Sequence, residues 1–83
     1  MISCQLSLYP LGTESYDDVV SRAVEHILPL KEEGLTIEVG SMSSVVKGPD
    51  DVVWKAVRTL FEAAKDEKIV LNTTFSNECG CDL

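Results

Sequence analysis

The feature that most constrains this chain is the switching of its hydrophobic period. Period 2 marks a strand with one buried face, and a period near 3.6 marks a helix with one apolar stripe. Along these 83 residues the order is strand, helix, strand, strand, helix, strand. Few architectures accept that order.

The first strand is residues 2–9. Ile2, Cys4, Leu6 and Leu8 fall on one side, and Ser3, Gln5, Ser7 and Tyr9 on the other. Pro10-Leu11-Gly12-Thr13 breaks the pattern. A helix is expected to begin near Ser15, with Asp18 as a capping-box analogue and Asp17 and Asp18 at the positive end of the helix dipole. Tyr16, Val19, Val20, Ala23, Val24, Ile27 and Leu28 form its stripe. Pro29 ends or kinks it near Leu28, one further turn reaches Glu33, and Gly34 is the C-terminal cap.

Residues 35–39 form the second strand, with Leu35, Ile37 and Val39 on one face and Thr36 and Glu38 on the other. Gly40-Ser41 is a tight connection to a third strand over 42–47, so the two make a hairpin. The faces of that third strand are less clear. Val45 suits one, leaving Met42, Ser44 and Val46 for the other. Gly48-Pro49 ends it, and Asp50 or Asp51 caps the second helix. Val53, Val57, Leu60, Phe61 and Ala64 form that helix's stripe, and Trp54 beside them reads as core. The fourth strand opens on Lys68-Ile69-Val70-Leu71 and turns polar without losing its alternation. Ile69, Leu71, Thr73 and Phe75 share one face; Val70, Asn72, Thr74 and Ser76 share the other.

Two helices with one stripe each cover one face of a four-stranded sheet. The expected fold is therefore α+β, a single ferredoxin-like βαββαβ domain over residues 1–83 with a four-stranded antiparallel sheet and both helices on one face. In this reading the first and third strands are central and pair in parallel through a right-handed crossover. The fourth lies beside the first and the second beside the third.

The face away from the helices then carries Gln5, Ser7, Tyr9, Thr36, Glu38, Met42, Ser44, Val46, Val70, Asn72, Thr74 and Ser76. It mixes apolar groups with uncharged donors and acceptors, where a solvated face would carry more Lys and Glu. Tyr9, Met42, Val46 and Val70 point to partial burial against a second sheet. Ser7, Ser44 and Asn72 would then need partners, because a buried polar group left unpaired costs about 1–3 kcal/mol. A subunit, ordered water or a polar heterocycle lying between two faces would supply them.

Charge narrows the partners. Fourteen acidic residues against seven basic ones give a net charge of −7. With no Lys/Arg cluster, this argues against nucleic acid and anionic membrane surfaces. No apolar run approaches a membrane span, and the start lacks the basic and apolar regions of a signal peptide, so a cytoplasmic location is expected. Three cysteines are not a disulfide framework. Cys79 and Cys81 with Cys4 and His26 raise a metal site, but Cys4 points to the core and His26 lies on a helix, so no metal is expected. No nucleophile–base pair, phosphate loop or carboxylate pair stands out, and no enzymatic activity is expected.

Three stretches carry a resemblance: Ser7-Leu8-Tyr9-Pro10, then Ser41-Met42-Ser43-Ser44-Val45-Val46-Lys47-Gly48, then Asn72-Thr73-Thr74-Phe75-Ser76-Asn77-Glu78-Cys79. Together they resemble the signature stretches of the YkoF-like family of thiamine- and hydroxymethylpyrimidine-binding proteins, related to a broader thiamine-binding group. The resemblance implies a ferredoxin-like domain that binds thiamine or its hydroxymethylpyrimidine part, with no further cofactor. It implies that Ser7 and Ser44 match ligand-contacting positions, where a serine and a threonine are typical. Gly80 stands where the family has proline. Some members carry two such domains in one chain; a single copy implies a homodimer or homotetramer through the sheet face.

Asn72 has the donor and acceptor to match an aminopyrimidine edge. Tyr9 offers a stacking surface, Glu38 a partner for a cationic ring or amine, and Thr74 a further hydroxyl. The expected ligand site is thus Ser7, Ser44, Asn72, Tyr9, Glu38 and Thr74 on the uncovered face. The absence of a basic residue there disfavours phosphate esters. The alternative function is a structural or regulatory oligomer whose sheet face only makes subunit contacts.

Overall fold

The computed structural model describes residues 1–12, 16–40 and 43–78. The elements are β1 (Ile2–Pro10), α1 (Tyr16–Glu25), a 3₁₀ helix (Leu28–Glu33), β2 (Thr36–Val39), β3 (Ser44–Gly48), α2 (Asp50–Ala64) and β4 (Ile69–Ser76). The sheet order is β2-β3-β1-β4, and every neighbouring pair is antiparallel. This is the ferredoxin-like arrangement.

One topological expectation is corrected. β1 and β3 are the central pair, but they run antiparallel. Because β3 is antiparallel to both β1 and β2, the strands that share a direction are β1 and β2, with β3 between them. The α1 crossover therefore skips a position that the hairpin later fills.

α1 ends at Glu25, short of Leu28. His26 and Ile27 donate to Ala23 and Val24, three residues back, so the last turn tightens before Pro29 starts the 3₁₀ helix. Gly34 ends that helix at φ 102°, a left-handed conformation suited to glycine. Leu35 N–H then donates to Leu30 O at 3.2 Å, and both leucines are buried. At α2 the expected aspartate cap gives way to Pro49, whose carbonyl accepts the first helical bond from Val53 at 3.0 Å. Asp50 and Asp51 occupy the first turn and favour the dipole without capping. Ser15 lies outside the described residues.

One core lies between the sheet and the helices. Cys4, Leu6, Leu8 and Val46 come from the sheet, Val19, Ala23 and Ile27 from α1 and its exit, and Val53, Ala56 and Leu60 from α2. Each large aliphatic side chain buried here contributes about 1.5–3 kcal/mol. Trp54 is not part of it. It is 57% exposed and stacks on Phe75, with ring centroids 4.2 Å apart.

Candidate functional site

Cross-strand partners in an antiparallel sheet share a face, so the register assigns every strand residue to a side. Ser7 faces Asn72, Gln5 faces Thr74 and Tyr9 faces Val70. These side chains lie away from the helices. Ser7 is half-buried, while Asn72, Thr74 and Tyr9 are exposed. Glu38 joins them from β2, exposed and opposite Val45.

Ser44 does not join them. It faces Leu6 on β1 and Val39 on β2, and Val46, two residues on, is fully buried opposite Cys4. Both therefore belong to the helix side, a correction to the uncovered-face list. The uncovered face instead receives Val45 and Lys47 from β3. The cause is the pair Val45-Val46: either can serve a core, so their hydrophobicity does not fix the parity of β3. The hairpin fixes it, since Val39 faces Ser44 and the loop of residues 40–43 is closed by Gly40 N–H donating to Ser43 O at 2.8 Å. Lys47, opposite Ser3 and Thr36, also gives that face a basic residue that the sequence reading lacked. Met42 lies outside the described residues.

On the helix side, Ser44 lines a cavity of about 290 Å³ between α1, β1 and the hairpin. Leu6, Leu8, Val20, Val24, Val39 and Leu60 make its apolar wall. Asp17 and Ser21 from α1 and Ser44 from the hairpin supply the side-chain polar groups; Ser43 also lines the cavity, but its hydroxyl turns to Gln5 on the other face. Asp17 and Ser21 are one helical turn apart, so they project from the same side of α1. Ser43 Oγ also accepts a hydrogen bond from Gln5 Nε2 at 3.1 Å, which ties the hairpin to β1. Among the described residues no basic side chain lines the cavity. Such a site can hold a small, flat, uncharged or cationic heterocycle: aliphatic walls against its faces, hydroxyls at its edge and one carboxylate for an amine or a positive ring.

Asp17 and Ser21 were missed in the sequence because Asp17 reads as a dipole-satisfying first-turn residue and Ser21 as a polar position flanking the stripe. A signal was present. Both sit one side of Val20 and Val24, and a hairpin serine turned to the core has to meet something polar.

Among the described residues, neither Cys4 nor His26 lines the cavity. Burial pushes the Cys4 thiol above its ordinary pKa, only partly offset by a hydrogen bond from the Thr74 backbone, so it is held protonated. His26 is exposed, with Nδ1 2.7 Å from Arg22 O. Among the described residues no three His, Cys, Asp or Glu side chains gather as metal ligands, and no helix is long and apolar enough to cross a membrane. Cys79, Gly80 and Cys81 lie outside the described residues.

Comparison with known proteins follows the fold. A domain of unknown function from Bacillus cereus superposes with a TM-score of 0.74 at 22% identity, covering 95% of this chain and 77% of that one. A candidate thiamine biosynthesis/salvage protein from Thermotoga maritima superposes with a TM-score of 0.62 at 26% identity, covering 95% and 85%. An acylphosphatase from Bacillus subtilis shares the ferredoxin-like fold at 9% identity with a TM-score of 0.63, covering 98% and 91%. No curated protein matches the chain. The model of the YKOF-related family matches residues 1–82, nearly the whole sequence, and the chain belongs to that family.

Proposed function

We propose that this protein binds thiamine or its hydroxymethylpyrimidine part, without chemical conversion, in the cavity between α1 and the β2–β3 hairpin. The observation that carries this reading is Ser44, the residue that resembles a family ligand contact, on the wall of that cavity. Its volume of about 290 Å³ lies at the small end of ligand sites and suits a single pyrimidine ring with its substituents. Ser44 and Ser21 would hydrogen-bond the ring edge, and the Asp17 carboxylate would take the exocyclic amine or face the thiazolium. Family membership and the Thermotoga maritima neighbour support the ligand class. None of the described lining residues is basic, which favours the unphosphorylated forms.

In the same reading the uncovered face serves association rather than the ligand. Tyr9 and Val70, 41% and 48% exposed and directly opposed, form an apolar step beside Ser7, Asn72 and Thr74. A second copy packed there, in a homodimer or homotetramer, would cover Ser7 and Asn72. Glu38 on one copy and Lys47 on the other offer opposite charges for that contact. Such an assembly would serve vitamin delivery or buffering. If the cavity takes no ligand, this face alone supports the structural-oligomer reading.

Isothermal titration with thiamine and with hydroxymethylpyrimidine tests the proposal. Saturable heat from either is expected. No heat and no thermal shift at millimolar ligand would sink it.

A further inference from the structure

We infer that Gln5 is a positioning residue for the cavity: from the opposite face of the sheet, its hydrogen bond to Ser43 holds the parity of β3 that turns Ser44 toward α1. The inference rests on the binding reading for its ligand, though not for the bond itself. Residue type leaves the faces of β3 undecided, because Ser43-Ser44-Val45-Val46 is a doubled pattern. A slip of one residue exchanges the faces of a strand. In one direction the slip would put Val45 in the place of Val46 and Ser43 in the place of Ser44, and the core would receive the same residue types. In the other it would drive Lys47 into the fully buried place of Val46, where an unpaired charge is costly.

The two ends of β3 are held against the first slip in different ways. At the far end Gly48 is buried, and a Cβ in its place would sit 2.9 Å from Gly34 O, so Lys47 cannot move there. At the hairpin end the residue before Ser44 is another serine, and sterics do not choose between them. A directional bond does. Gln5 is exposed on the uncovered face, opposite Val45 and Thr74. Its Nε2 donates to Ser43 Oγ at 3.1 Å, diagonally across the strand pair. Among the described residues this is the one side-chain hydrogen bond between β1 and the hairpin.

With the Ser43 hydroxyl held on the uncovered face, alternation sends Ser44 to the helix side, opposite Leu6 and into the cavity wall. Ser43 O accepts from Gly40 N–H at 2.8 Å, so the turn closes on the same residue that Gln5 holds. Gly40 and Val39 line the cavity beside Ser44. The bond therefore sets the distance across which Ser44 faces Asp17 and Ser21 on α1. Gln5 touches no ligand and acts through Ser43.

Two variants of the full chain test this. Gln5→Ala removes the bond, and Gln5→Glu keeps one, with the carboxylate accepting from the Ser43 hydroxyl. Without ligand, the Gly40 amide should exchange about fivefold faster in Q5A, the scale of one neutral hydrogen bond, and return near the wild-type rate in Q5E. Unchanged Gly40 exchange in Q5A overturns the inference, and this measurement needs no ligand. Titration with hydroxymethylpyrimidine, at a temperature where every variant is folded, reads the positioning. Affinity should fall about fivefold in Q5A and recover in Q5E. A merely structural role would lower the melting temperature and leave the affinity of the folded chain unchanged. Wild-type affinity in Q5A therefore overturns the inference, as does an equal loss in both variants. No heat with the wild-type chain is the failure of the binding reading, and the Gly40 exchange then decides the hold on Ser44 by itself.

Discussion

Leu6 and Ser44 are direct cross-strand partners, so the hydroxyl of Ser44 stands on the helix side of the sheet above a buried leucine. That pairing moves the candidate site from the open face to the cavity under the hairpin. Filling the cavity should abolish binding without harming the fold. Ser44→Leu places a branched apolar side chain where the ring edge would lie. Titration of this variant should find affinity reduced at least tenfold, about 1.4 kcal/mol, with little change in thermal midpoint.

Asp17 is the one charged group among the described residues of the cavity wall. Asp17→Asn keeps its shape and removes its charge. Thiamine, which is cationic, should lose about tenfold in affinity, the scale of one charge-assisted contact. Hydroxymethylpyrimidine should lose less. Equal losses for both ligands, measured side by side by titration, would place the carboxylate on the pyrimidine instead of the thiazolium.

The parity of β3 has its own stability test. Val46 is fully buried and Val45 is half-exposed on the other face. Val46→Thr puts a hydroxyl into the core and should cost about 1–3 kcal/mol in denaturant unfolding. Val45→Thr should stay within about 0.5 kcal/mol. A reversed order would return Ser44 to the open face.

Gly34 holds φ 102°, and an added Cβ would sit 3.3 Å from Pro49 Cδ. Gly34→Ala should therefore destabilise the chain by about 1–2 kcal/mol through the left-handed penalty alone. Thermal melting of the variant reads this out directly.

The buried Cys4 thiol sets a pH dependence. Its folded pKa is raised above the ordinary 9.0, chiefly by desolvation. Above that pH the unfolded chain releases a proton that the folded chain retains. Stability should therefore fall as pH rises past about 9 and be insensitive to this group below it. With Cys79 and Cys81 replaced by serine, the remaining thiol should react with a disulfide reagent only as fast as the protein opens.

Much of the fold was legible because alternation and stripe agreed with each other. Ile2 to Leu8 and Ile69 to Phe75 each present one apolar side, and Val19, Ala23 and Ile27 present another. The direction of β3 relative to β1 was misread, since strand order does not by itself convey strand direction. The site was legible only in part. Ser7, Asn72 and Thr74 alternate cleanly and were assigned to the right face, but adjacent valines masked the parity of Ser44. The hairpin held the missing information. A loop of two or four residues places Val39 and its partner on one face, which sends Ser44 and Val46 to the core side. Trp54 was taken for core because helical spacing alone does not reveal that β4 ends beneath it and leaves its outer face bare.

The most direct measurement is an amide-resolved NMR titration of the full chain with hydroxymethylpyrimidine. Saturable shifts confined to Val20, Ser21, Ser43 and Ser44 are predicted, with Ser7, Asn72 and Thr74 unmoved. Shifts centred on Ser7 and Asn72, or none at millimolar ligand, would contradict the assignment of the site to the cavity.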